Sequence, residues 1–144
     1  MIAYADSGFL VSLYASDANS ALATSLIVSP KPLFLLTPLV ELEFANALHL
    51  LVFRKLLTRA ESRAIFDQFA LDRRAGAFRT MQLTSEAWDK AVELSEAHSA
   101  AMGTRTLDVL HVAAALLLKP DVFFTFDKRQ AQLAKAVRLK VAPA

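Results

Sequence analysis

The chain of 144 residues contains no cysteine and has only three glycines and five prolines. Without a thiol the protein cannot form a disulfide, a thiolate zinc site or an iron–sulfur cluster, and it cannot use a cysteine nucleophile. So few glycines and prolines exclude collagen-like and linker-like sequences and argue against a turn-dense small β fold. Because cysteine-free chains suit a reducing compartment, we expect a cytoplasmic protein.

We also expect neither a membrane-spanning segment nor a signal peptide. Its longest apolar run, Val109 to Leu118, contains His111 and is about half of the roughly 18–20 residues that cross a bilayer. The N-terminus has no basic segment ahead of its apolar residues, and Asp6 interrupts those residues early. We therefore expect no membrane association.

What the chain does have is apolar mass, since 55% of its residues are hydrophobic. That fraction supports a sizeable core and excludes intrinsic disorder. At this length we expect one domain over residues 1–144. The net charge is only +2, but the tail from Lys128 onward carries five basic residues and no acidic one. Such a tail suits either contact with a polyanion or an ordinary solvated helix face.

Short β-type runs alternate with helical patterns along the chain. This alternation predicts an α/β sandwich with a mostly parallel sheet. Strands are predicted at Ile2–Asp6, Leu33–Leu36, Phe78–Leu83, Val122–Phe126 and Leu139–Val141. Helices are predicted at Ser7–Tyr14, Asp17–Ser29, Thr37–Leu56, Thr58–Ala75, Thr84–His98, Thr104–Lys119 and Lys128–Val137.

Four acidic residues lie next to strongly apolar sequence. Asp6 and Asp127 end predicted strands, and Glu43 and Asp108 lie within apolar helices. Carboxylates gathered in apolar surroundings repel one another unless a cation neutralises them, so at least one is expected to have a raised pKa. Mg²⁺ or Mn²⁺ suits oxygen ligands, whereas the chain offers neither cysteine nor an HExxH pair for zinc.

Each of these acids also suits a purely structural role. Asp6 and Asp127 are in position to cap the helices that follow them, and Asp108 lies where a carboxylate stabilises a helix N-terminus. Residues two positions apart on a helix are separated by about 200° of rotation, so Glu41 and Glu43 cannot both face one site. His111, in an apolar stretch, is interpreted as a packed, hydrogen-bonded residue.

The chain contains the segments Tyr4–Val11, Glu43–Ala47, Arg105–Ala115 and Thr125–Arg129. In their order along the chain they resemble the PIN-domain ribonucleases, especially the VapC-type toxins of toxin–antitoxin modules. The resemblance extends from residue 2 to about residue 141 and implies a three-layer α/β/α sandwich. It also implies a divalent-metal site and hydrolysis of RNA phosphodiester bonds to 5′-phosphate and 3′-hydroxyl ends.

The resemblance assigns roles to particular residues of this sequence. Ser7, Asn46 and Thr125 are expected to support the acids or to contact substrate. Gly8 stands where the family often has serine, and the final apolar segment lacks a glycine that is often found there. The catalytic, metal-binding quartet, which is expected to hold Mg²⁺ or Mn²⁺, consists of Asp6, Glu43, Asp108 and Asp127.

The resemblance also implies partners, namely an RNA substrate, a cognate antitoxin protein and a second copy of the chain. The segment Ala47–Phe53 is apolar almost all round its helix, which favours a subunit interface over a place deep in the core. One alternative function is a catalytically silent PIN-like domain that binds RNA or protein. Another is a phosphotransferase with Asp6 as nucleophile, which Gly8 disfavours because it replaces the usual second acid.

Overall fold

The computed structural model describes residues 1–144 and contains one sheet of five parallel strands in the order β3-β2-β1-β4-β5. The first strand of the sequence lies at the centre, where Tyr4 is opposite Leu35 on one side and Phe123 on the other. The strands are β1 (Ile2–Ala5), β2 (Leu33–Leu36), β3 (Phe78–Thr80), β4 (Val122–Phe124) and β5 (Val141–Ala142).

Helices cover the sheet in two groups. The first, third and fourth helices pack against one another, and the fifth, seventh and eighth form a second group. This arrangement confirms the α/β/α sandwich, and the sheet is entirely parallel. The helices are α1 (Ser7–Tyr14), α2 (Ser20–Leu26), α3 (Pro38–Phe53), α4 (Arg59–Arg74), α5 (Ser85–Leu94), α6 (Ala100–Met102), α7 (Thr106–Leu118) and α8 (Lys128–Ala136).

Local signals place most helix ends where the sequence predicts them. Thr37 caps α3 ahead of a proline at its first position, and Thr58 forms a capping box with Glu61 at the start of α4. Gly103 ends α6 in the left-handed conformation at φ 63°, which a glycine adopts without strain. No helix is long and apolar enough to span a bilayer.

Three strand predictions extend too far or are shifted. The third strand ends at Thr80 instead of Leu83. β4 ends two residues early because the Thr125 side chain turns to Asp6, after which the chain enters α8. Arg138 adopts φ 67° after α8, and the last strand therefore begins only at Val141.

Three helices also differ from their predicted spans, and one of them, α3, ends at Phe53 instead of Leu56. Asp17 accepts hydrogen bonds from the backbone of Asn19 and the hydroxyl of Ser20, so a turn precedes α2 and the helix starts three residues late. The predicted helix Thr84–His98 passes from α5 into a π-helical turn, Ser95–Ser99, before α6.

The interior is built from aromatic side chains on β1, β4 and the first group of helices. Tyr4 stacks on Phe123, and Phe9 of α1 stacks on Phe124, with ring centroids 5.4 and 4.7 Å apart. All four rings are buried. Because Tyr4 lies two residues before Asp6, this packing fixes the strand end from which the first predicted acid projects.

Candidate active site

The carboxyl ends of β1 and β4 open onto a cavity of about 590 Å³. Parallel sheets bind ligands at this edge, at the place where the order of strands reverses. All four predicted acids line the cavity although they come from four separate parts of the chain: Asp6, Glu43, Asp108 and Asp127. The structure therefore brings the predicted quartet together.

Asp6 directly follows β1 and is buried where it lines the cavity. Its Oδ1 accepts from the backbone N–H of Phe9 at 2.7 Å and so caps α1, and its Oδ2 accepts from the Thr125 hydroxyl at 2.5 Å. Burial raises the pKa of Asp6, and the charge of Asp127 raises it further. The predicted direction is right, but burial and not repulsion is the largest cause.

Glu43 is held by a chain of hydrogen bonds that begins in the core. A carboxylate can only accept, so His111 donates Nε2–H to Glu43 Oε1 at 2.5 Å. Tyr4 Oη lies 2.8 Å from Nδ1 of the same ring. Burial raises the pKa of Tyr4, whose hydroxyl stays protonated and able to donate to the ring.

The choice between Glu41 and Glu43 is settled by their directions on α3. Glu43 faces the cavity, whereas Glu41 pairs with Arg73 of α4 at 2.7 Å and is not among the cavity residues. The angular argument from the sequence is confirmed.

Asp108 and Asp127 share a single guanidinium. Arg105 donates from Nε to Asp108 Oδ2 at 3.1 Å and from Nη2 to Asp127 Oδ2 at 2.9 Å. The Gln130 amide adds a bond to Asp108 Oδ1 at 3.2 Å. Burial raises the pKa of Asp108, but the hydrogen bonds from Arg105 and Gln130 outweigh it, so the net direction is downward.

Asp108 and Asp127 have the helix-capping roles that the sequence also allowed, and they line the cavity as well. Asp127 caps α8 by accepting from the backbone of Arg129 and Gln130. Asp108 accepts from the Arg105 backbone N–H at 2.9 Å, at the start of α7. An acid that caps a helix still presents its carboxylate to the cavity.

The supporting residues predicted from the sequence have three different fates. Thr125 binds Asp6, and Ser7 lines the cavity. Asn46 is exposed, is not among the cavity residues and makes no side-chain hydrogen bond to Glu43, so it is not the residue that supports this acid. His111 has that role, and as predicted it is packed and hydrogen-bonded.

Arg105 and Gln130 were missed as site residues. Arg105 lies three residues before Asp108, and Gln130 three after Asp127. Residues three apart on or beside a helix are neighbours, so the spacing of Arg105 and Asp108 is the signal that was available. The Gln130 amide contacts Asp108, 22 residues away, and no local spacing indicates that contact. A residue at Gly8 would place its Cβ 3.6 Å from Asp6 Oδ1, so the glycine leaves this carboxylate uncovered.

The donor set is suited in kind to a hard divalent cation. It consists of carboxylate oxygens, which Mg²⁺ and Mn²⁺ prefer. In the present side-chain arrangement no three of these groups surround one point at metal-binding distance. Glu43 is directed to His111, and Asp108 and Asp127 are directed to Arg105.

The basic tail begins beside the site. All five of its basic residues are exposed: Lys128, Arg129, Lys135, Arg138 and Lys140. Two of them, Lys128 and Lys135, line a second cavity of about 440 Å³ together with Asp127 and Thr125. Positive charge therefore adjoins the acidic cavity on its α8 side.

The PIN domain family model matches residues 3–136 of the chain. No curated protein sequence matches it. The matched range includes all four acids and the residues that hold them.

Solved structures with the same fold include three that match over nearly the whole chain. VapC20 of Mycobacterium tuberculosis, a sarcin-ricin loop cleaving toxin, is 21% identical, with 90% of this chain and 93% of that chain covered and a TM-score of 0.68. VapBC2 of Rickettsia felis, bound to a promoter DNA fragment, is 12% identical, with 98% and 97% covered and a TM-score of 0.66. FitAcB of Neisseria gonorrhoeae is 14% identical, with 97% and 96% covered and a TM-score of 0.67.

Proposed function

Since the chain belongs to the PIN domain family, we propose that it is a metal-dependent endoribonuclease that hydrolyses RNA phosphodiester bonds. The observation that carries the proposal is the meeting of four acids on one cavity at the carboxyl edge of the sheet. They come from residues 6, 43, 108 and 127 and meet only in the folded chain. Nothing in the packing of the core requires so many carboxylates at one place.

Asp6, Glu43, Asp108 and Asp127 would hold one or two Mg²⁺ or Mn²⁺ ions. A divalent ion bound there supplies a water of lowered pKa and offsets the charge that develops on the phosphate. The protein would contribute the alignment of the ligands. Oriented carboxylates bind metal more tightly than mobile ones, because their partners fix them in advance.

Three sets of contacts provide this alignment. Thr125 and the N-terminus of α1 orient Asp6, and His111 orients Glu43. Gln130 orients Asp108 through its amide. The roles of these partners are to position the acids, and none of them needs to act as a general base.

RNA binding is supported by the charge beside the site. A phosphate backbone that reached the second cavity, which shares Asp127 with the acidic one, would meet Lys128 and Lys135. Such contacts give affinity without reading sequence.

We further propose that the protein is the toxin of a toxin–antitoxin module, located in the cytoplasm, with an antitoxin as its partner and a homodimer as its assembled form. The support is structural similarity to VapC20, which is a toxin, and to the VapBC2 and FitAcB proteins.

The experiment is cleavage of a mixed RNA substrate with Mg²⁺, with Mn²⁺ and with EDTA. Cleavage that requires metal and leaves 5′-phosphate ends is expected. The single variants Asp6→Asn, Glu43→Gln, Asp108→Asn and Asp127→Asn should each reduce the rate at least about a hundredfold, because each removes a ligand of the metal. Glu41→Gln is the matched control and should stay active. Activity that survives in all four variants would overturn the proposal.

A second candidate is a PIN domain that binds RNA without cutting it. The observation that favours it is the pairing of Arg105 with two of the acids. Binding of labelled RNA with no cleavage in Mg²⁺ or Mn²⁺ would support this candidate over the first.

A further inference from the structure

Arg105 is the one cation of the chain whose side chain forms ion pairs with the acids of the site. The other Lys and Arg ion pairs, Arg73–Glu41 and Lys90–Glu93, lie elsewhere. Its Nε and Nη2 both donate to Asp108, at 3.1 and 3.3 Å, and Nη2 also donates to Asp127 at 2.9 Å. A planar guanidinium suits this forked contact better than an ammonium does.

The two sides of this contact differ in their freedom to move. The Asp108 side chain is 2% exposed and receives further bonds from Gln130 and from the backbone of Arg105. The Arg105 side chain is 62% exposed. If the contact breaks, the carboxylate stays in place and the guanidinium moves into solvent at small cost.

We propose that Arg105 is a built-in counter-ion that neutralises Asp108 and Asp127 until a divalent cation takes its place. This inference rests on the metal-binding role proposed above. In the present arrangement no three acids surround one point, and Arg105 holds two of the four. Release of its side chain frees oxygens of both carboxylates as ligands.

The contact therefore has two opposite thermodynamic effects. It stabilises the metal-free protein by compensating carboxylates that would otherwise repel one another. It weakens metal binding by the same amount, because the ion must displace it. A residue that only maintained the structure would show the reverse, since damage to the site loosens metal binding.

The start of α7 does not depend on the side chain of Arg105. The backbone N–H of residue 105 bonds Asp108 whatever the side chain is. Arg105→Gln should thus fold, and Arg105→Lys keeps the charge but loses the fork. Arg129→Gln is the matched control, since Arg129 follows Asp127 by two residues and its side chain forms no ion pair with an acid.

The test is calorimetric titration of metal-stripped protein with Mn²⁺, combined with melting curves. Arg105→Gln should bind Mn²⁺ about tenfold more tightly than wild type, the size expected for lost charge-assisted hydrogen bonds. Arg105→Lys should fall between the two, and Arg129→Gln should change the affinity by less than about threefold. Without metal, Arg105→Gln should melt below wild type, and Mn²⁺ should raise its melting temperature more.

Three results would overturn the inference. Equal or weaker Mn²⁺ binding by Arg105→Gln, with wild type binding normally, leaves the proposed function intact and removes the role of Arg105. An equal gain in Arg129→Gln assigns the effect to general charge. Absence of Mn²⁺ binding by wild type and by Arg105→Gln removes the metal-dependent function as well, whereas binding by the variant alone supports the inference.

Discussion

At the scale of single residues, three of the four acids each serve two purposes. Asp6, Asp108 and Asp127 accept backbone N–H bonds at helix starts and also face the cavity. The helix start holds each carboxylate in a fixed direction, and the positive end of the helix offsets part of its charge. Capping thus explains how acids can be placed so deeply.

Asp6→Asn should stabilise the metal-free protein, with a gain that grows with pH. The pKa of Asp6 is raised in the folded state, so its cost to stability is absent below the unfolded value, grows as pH rises above it and is complete above the folded pKa. Asparagine caps helices about as well as aspartate, so the cap on Phe9 is kept. Melting curves in EDTA between pH 4 and pH 8 measure the effect.

A less stable Asp6→Asn protein at every pH would contradict this prediction, because it would show that the ionised carboxylate stabilises the metal-free protein. Added Mn²⁺ should raise the melting temperature of wild type and leave the variant nearly unchanged. At one hundred times the dissociation constant, binding stabilises the native state by about 2.7 kcal/mol.

His111→Phe should weaken Mn²⁺ binding by about ten- to a hundredfold, the usual effect of losing the partner of a ligand. Glu43 loses its only side-chain donor, and the buried Tyr4 hydroxyl is left unpaired at a cost of about 1–3 kcal/mol. His111→Gln, which keeps an N–H near the same place, should recover part of the affinity. Calorimetry gives the affinity and a melting curve the stability, and a folded His111→Phe protein with normal affinity would contradict the role.

At the scale of elements, the third helix has a buried face and an exposed one. Leu48 is fully buried and Leu51 packs against the core, whereas Phe53 is 82% exposed and Leu50 39% exposed. The sequence favours an interface over core for the segment Ala47–Phe53. The structure divides the segment, and of its apolar residues Leu50 and Phe53 are the exposed ones that can meet another chain.

Phe53→Lys should convert a dimer into a monomer without loss of stability, because the side chain contributes little to the core. Light scattering measures the mass. Val28→Lys, at another exposed apolar position, is the control and should keep the dimer. Leu51→Lys is expected to unfold the protein and gives no information on assembly. A monomeric wild type, or an unchanged mass in Phe53→Lys, would refute this interface.

The elements show where sequence patterns suffice. Capping residues such as Thr37 and Thr58 are local chemistry, and their helices begin as predicted. Strand ends such as Phe124 depend on a bond between Thr125 and Asp6, 119 residues apart. No periodicity in a short window contains that information, so such boundaries were wrong by two or three residues.

The site also has a part that local sequence patterns predict and a part that depends on long-range contacts. The acids were identifiable because carboxylates beside apolar runs are unusual and because the family resemblance orders them. Arg105, Gln130 and the Tyr4–His111 pair were missed, since their roles arise from contacts between distant elements or from side-chain directions. Asn46 shares a helix face with Glu43 yet remains exposed.

At the scale of the whole molecule, positive and negative charge occupy adjoining regions. The acidic cavity and the basic tail meet at Asp127, which lines the acidic cavity and also the second cavity, where Lys128 and Lys135 lie. A polyanion is repelled by the first and attracted by the second. Backbone phosphates would therefore bind along α8, and only a cation-bearing cavity would draw one of them inward.

Lys128→Gln combined with Lys135→Gln should weaken RNA binding and reduce its dependence on salt. If each lysine contacts one phosphate, the slope of log K against log salt should fall in size by about 1.4 for single strands. Measurements in the Asp6→Asn background avoid cleavage. Lys31→Gln is the control, because Lys31 precedes β2 at the opposite edge of the sheet. An unchanged slope would place the RNA elsewhere.

The central position of β1 also governs when the four acids can come together during synthesis of the chain. Its partner β4 and the bond from Thr125 to Asp6 come from more than one hundred residues further along the chain. A nascent chain that has reached Glu43 holds two of the acids but lacks the strand and hydroxyl that order the first. Contacts so distant in sequence also form slowly. Translation thus passes beyond Asp127 before the four acids can line one cavity.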